Sequence, residues 1–110
     1  MTSANEIEQK VSGLLQLLYN NFPLFQKNMQ LMNAISILGK EQLGRMIAMH
    51  CSHYPQSVHQ RDLDFLLAYT CFMFNMSETE KKLFEKSLIE HPHLRSKLFE
   101  YLDFFLKVSL

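Results

Sequence analysis

The sequence predicts an all-α protein, a compact bundle of five or six short helices around one buried helix. Three observations predict it. Apolar residues recur with the 3.6-residue helical period along most of the chain and nowhere alternate as strands do. Only 3 glycines and 3 prolines interrupt 110 residues, which leaves little room for hairpins. The stretch Leu63–Met76, LDFLLAYTCFMFNM, carries one charge, Asp64, and is apolar all the way round a helix drawn through it. A helix without a polar face belongs inside a bundle. This one is too short for the about 20 apolar residues that a bilayer span needs.

The elements follow in order. Ser3 and Glu6 have capping-box spacing, a hydroxyl and a carboxylate that satisfy each other's backbone donors. The helix behind them puts Ile7, Val11, Leu14, Leu15, Leu18 and Phe22 on one face. Gly13 costs about 1 kcal/mol relative to alanine, which suggests close approach of a neighbouring backbone. Pro23 ends this helix, because the residue before a proline is pushed out of helical geometry. A second helix is expected from about Leu24 to Leu38, with Phe25, Met29, Met32, Ile35 and Leu38 as its stripe and Gly39 as its stop.

The third helix, Lys40 to Tyr54, carries Leu43, Met46, Ile47, His50, Cys51 and Tyr54 as its expected core stripe. If helix continues through Gly39, the second and third are one. Pro55 to His59 reads as a loop. The buried helix starts near Gln60 or Arg61, with Asp62 and Asp64 at its positive end. Ser77 and Glu80 form a second capping box, and the tight turn Asn75–Ser77 makes its helix a neighbour of the one before. Leu83, Phe84, Leu88 and His91 are its expected stripe. After His91-Pro92-His93 a last helix, about His93 to Val108, carries Leu94, Leu98, Tyr101, Leu102 and Phe105. Phe99, Phe104 and Leu106 widen its apolar face beyond one stripe.

The totals bound the function. One domain, residues 1–110, is expected, and a chain of 13.0 kDa buries roughly two-thirds of its unfolded surface without staples. The formal net charge is +0, from 11 basic and 11 acidic residues. No phosphate-neutralising patch is visible, which argues against nucleic acid, and no segment suits a membrane. Cys51 and Cys71 are not a disulfide framework and read as free thiols of a reducing compartment. The opening MTSANEIEQK has no apolar signal region, so the expected address is cytoplasmic, and leaderless delivery by a specialised secretion machine gives the same sequence.

Motifs for chemistry are sparse. His50, Cys51, His53 and His59 are zinc-compatible ligand types, but they lack the i,i+4 spacing of a helical clamp. Histidines at a helix C-terminus meet the negative dipole end without any metal. A nucleophilic thiol needs a polar, partly exposed setting, whereas Cys71 sits in the most apolar segment and Cys51 on a core stripe. There is no glycine-rich phosphate loop and no GxSxG elbow. We therefore expect no catalysis, no cofactor and no metal. Lys81, Lys82, Lys86, Arg95 and Lys97 alternate with glutamates, as on a solvated helix face.

Met29/Met32, Met46/Met49 and Met73/Met76 are i,i+3 pairs on three helices, and methionine suits adaptable binding surfaces as well as irregular cores. With 9 phenylalanines and 4 tyrosines beside the aliphatics, apolar side chains exceed what single stripes need. A surplus of this kind leaves an exposed patch, and such patches meet partners. Met29, Met32, Met46, Met49, Phe99, Phe104 and Leu106 are the expected contacts. In size, in its Asn/Gln/Lys/Met/Phe-rich composition and in its lack of catalytic motifs, the chain resembles the small helical regulators of intracellular bacterial pathogens. The resemblance implies a protein that restrains an enzyme by sitting on its active site, and it assigns no residue a role. The expected function is thus a protein-binding regulator, inhibitor or adaptor, or a homodimer. The alternatives are a homodimeric helical DNA-binding regulator and a small metal- or thiol-dependent enzyme using His50, Cys51 and His53.

Overall fold

Three of the helices start where a side chain substitutes for missing backbone partners. A computed structural model describes residues 2–27, 29–54 and 60–109, with the side chains of 27–36 and 71–74 outside that description. Helix α1, Ala4–Asn21, begins with the Ser3 hydroxyl accepting the Glu6 N–H at 3.2 Å. It ends at Phe22, whose extended backbone precedes Pro23. An α-helix was expected from Leu24. Instead a 3-10 turn, η1, spans Pro23–Lys27 and carries Phe25 into the core. There Phe25 meets Phe22 at 6.1 Å and Phe84 at 5.1 Å, both edge-on, the geometry that ring quadrupoles favour.

Helix α2, Met29–Ser52, is kinked at Gly39, whose φ of 81° is open to glycine at no steric cost. The second and third expected helices are thus one element with a break where the sequence places a stop. Beyond the break Leu43, Gly44, Ile47, Ala48 and Cys51 are buried. A Cβ on Gly44 would strike the Ile7 Cγ2 of α1 and lie 3.1 Å from the Val11 Cγ2. Absence of that Cβ lets α1 and α2 close on each other, with the Phe105 ring against the same spot. Arg45 pairs with Glu41 at 3.1 Å and donates to the Ser109 carbonyl, and the Ser109 N–H reaches the Thr2 hydroxyl at 3.4 Å. The two ends of the described chain are thereby tied to α2.

Helix α3, Leu63–Phe74, is capped by Asp62, whose carboxylate accepts the Asp64 N–H at 2.9 Å. Phe65, Leu66, Leu67, Tyr69 and Thr70 are buried, while Asp64 and Ala68, four residues apart, form one exposed edge. Just before it, Arg61 holds a φ of 58°. Three contacts fix it there: an ion pair to Asp103 at 2.9 Å, its guanidinium over the Phe99 ring at 5.5 Å, and its carbonyl receiving Arg95 at 2.6 Å. Helix α4, Glu78–Glu90, starts with the complete Ser77/Glu80 capping box. Helix α5, Pro92–Leu106, starts with Pro92 in the first turn, where its missing N–H costs nothing.

One apolar cluster takes residues from every one of these elements, and among the described residues there is no strand. Several burials differ from expectation. Phe99, expected at the surface, is fully buried, because α5 packs against α1, α2 and α4 and so hides more than one stripe. Leu38, Met46, Tyr54 and Leu83, placed on expected core stripes, are exposed, as is His91. Gly13 faces the Tyr101 side chain rather than a backbone.

The two buried-facing glycines predict opposite outcomes. Alanine in a helix gains about 1 kcal/mol over glycine. At Gly44 the clash falls on the branched Ile7 and Val11, and overpacking of that kind costs about 1–3 kcal/mol. At Gly13 it falls on the tip of Tyr101, which can swing into the adjoining hollow. Urea unfolding should therefore show Gly44→Ala clearly destabilised and Gly13→Ala near or above the parent.

Candidate functional site

The second half of α2 has two faces. One turns Leu43, Ile47 and Cys51 inward. The other presents Met46, Met49, His50 and His53, spaced i, i+3, i+4 and i+7, and therefore side by side. Met46 is 41% exposed and Met49 55%. Two residues past the helix end stands Tyr54, 48% exposed, its ring 5.6 Å from that of His50 and 5.5 Å from that of Phe65 on α3. Two hollows meet at His50. One, about 160 Å³, is lined by Met46, Met49, His50 and His53. The other, about 310 Å³, is lined by His50, Tyr54, Asp64, Phe65 and Ala68. A wider hollow of about 490 Å³ lies between α1 and α5, but solvated side chains such as Lys10, Gln16, Lys97 and Glu100 line it.

Beneath the α2 face lies Cys51, which is fully buried. Burial pushes its thiol up to about 12, the neighbouring Tyr69 hydroxyl opposes that rise, and the Asp103 carboxylate adds to it. Tyr69 is raised as well, first by burial and then by Cys51. Its hydroxyl faces the thiol without a hydrogen bond of good geometry. A thiol held protonated is a poor nucleophile, so this site does not favour a Cys51 enzyme. His50 is half-buried, and burial followed by the nearby His53 lowers its pKa below 6.5. His53 is exposed, and His59 lies outside the described residues. Among the described residues no three of His, Cys, Asp and Glu converge as a metal-binding group.

Of the seven contacts read from sequence, Met46 and Met49 stand exposed together. Phe99 is withdrawn, since its ring is sealed under Arg61. Phe104 and Leu106 are half-buried against the core, and the Lys10 ammonium sits 5.3 Å above the Phe104 ring. The side chains of Met29 and Met32, like those of Met73 and Cys71, lie outside the described residues. Sequence reading missed Tyr54, Asp64, Phe65 and Ala68 as one neighbourhood. The available signal was Tyr54 itself, an aromatic at a helix end just before Pro55.

The chain matches no known protein family, no curated protein and no solved structure. Among the described residues, no helix is long and apolar enough to cross a membrane.

Two measurements test this site. The Cys51 thiol should resist iodoacetamide at pH 8 in the native protein and react after unfolding in guanidinium, read by peptide mass mapping. The His50 ring should titrate below 6.5 by NMR, and His53→Gln should move its midpoint upward by removing the second charge.

Proposed function

We propose that the protein is a non-catalytic regulator, inhibitor or adaptor that covers a surface, such as the active site, of a partner protein. The observation that carries this reading is the exposed strip Met46, Met49, His53 and Tyr54 at the C-terminal end of α2 and just beyond it, beside two hollows that share His50. Methionine and aromatic side chains give large contact area and adapt to a partner's relief. The formal net charge of +0 supplies no long-range steering, so contact has to rest on shape and apolar area. The compositional resemblance to small helical regulators of bacterial pathogens points the same way.

The strip is tested by loss of binding. Met46 and Met49 are exposed, so the double variant Met46→Glu/Met49→Glu should keep its helical circular dichroism and its melting temperature. We expect it to lose at least tenfold in affinity for any protein that the parent captures, since each buried methionine is worth about 1.5–3 kcal/mol. Leu83→Glu/Ile89→Glu on α4 is the comparison, because those side chains are also exposed. A partner lost by the α4 variant and kept by the α2 variant would move the surface to α4. A strictly monomeric parent that captures nothing would end the reading.

A further inference from the structure

The hollow on the α3 side of His50 has a distinct chemistry. Three rings stand round it. His50 and Tyr54 are inclined at 54° to each other, and Tyr54 and Phe65 at 53°. Rings inclined in this way do not close the space by stacking face to face, and all three line the hollow. Ala68 adds little bulk, and Asp64 puts a carboxylate at the rim. The volume, about 310 Å³, sits at the lower end of the roughly 300–1,000 Å³ typical of small-molecule sites.

The formal charge beside it is negative, and the Asp62 and Asp64 carboxylates offset the positive end of the α3 dipole there. Among the described lining residues, Asp64 is the sole formal charge and there is no lysine or arginine. The α2 helix ends here, so the negative end of its dipole points into the same region. Ring faces carry negative potential and attract a cation within about 6 Å of their centres. His50 belongs to this set as a neutral ring at pH 7, because burial and His53 hold its pKa down. The buried Tyr69 ring, 5.3 Å from His50 and 6.0 Å from Phe65, supports both walls from beneath.

We propose that the hollow walled by His50, Tyr54 and Phe65 and edged by Asp64 binds an organic cation, an alkylammonium or guanidinium group, carried on a polypeptide side chain or free. The inference rests on this hollow and does not require the partner-binding reading. If the cation is a side chain, the methionine strip next to it receives the rest of that chain.

The probes are choline, Nα-acetyl-trimethyllysine amide and Nα-acetyl-arginine amide, with 3,3-dimethyl-1-butanol as the uncharged isostere of choline. Each is titrated into the full chain and followed by amide NMR shifts. At least one cation should shift residues 50, 54 and 64–68 saturably, and the alcohol should bind about tenfold more weakly than choline, the size of a cation–ring term. Asp64→Asn should weaken cation binding several-fold. Tyr54→Leu should abolish it and Tyr54→Phe should keep it, and Tyr54→Leu should weaken choline more than the alcohol, a difference that mere loss of packing would not give. Tighter binding of the two side-chain analogues than of choline assigns the site to a polypeptide, and the reverse order assigns it to a free small cation. No saturable shift with any of the three, or equal binding of the alcohol where choline binds, overturns the proposal.

Discussion

The contact that the rest of the structure depends on is the closure of α1 onto α2 at Gly44. Without a Cβ there, the Ile7 and Val11 side chains reach the α2 backbone, and Phe105 of α5 fills in beside them. Three helices are brought together by one missing methyl group. That closure decides the orientation of α2. With Leu43, Ile47, Ala48 and Cys51 committed inward, Met46, Met49 and His53 have nowhere to go but outward. The exposed strip is thus the complement of the tightest joint in the molecule.

Helix ends were the most legible part of the sequence, because their signals are local. Ser77 and Glu80 form the reciprocal cap that their spacing implies, Pro23 and Pro92 mark breaks, and Gly39 adopts a backbone conformation that other residues avoid. The one local misreading was Pro23–Lys27. A turn of 3-10 helix satisfies the same apolar spacing with fewer residues and delivers Phe25 to Phe22 and Phe84.

Burial was harder to read, since periodicity gives the direction of a face but not its width. Helix α5 touches three neighbours, so Phe99 disappears although it lies off the main stripe. Leu83 lies on the expected stripe of α4, yet it is exposed because that face meets solvent. The candidate site needed the same knowledge of neighbours. Met46 and Met49 could be named from composition and spacing. Tyr54 and Phe65 could not be joined, because they sit on different helices and only tertiary packing brings their rings to 5.5 Å.

The way α3 is anchored differs in character from the aromatic joint of the core. The joint formed by Phe22, Phe25 and Phe84 is built of rings that carry no charge to screen. The entry to α3 instead hangs on Arg61, whose guanidinium and carbonyl are held by Asp103 and Arg95 at partly solvated positions. Attractions between such charges fade over a screening length of about 8 Å at physiological salt. Ionic strength therefore weighs on the turn that aims Asp64 and Phe65, as it does on the Arg45–Glu41 pair, more than on the uncharged phenylalanine joint.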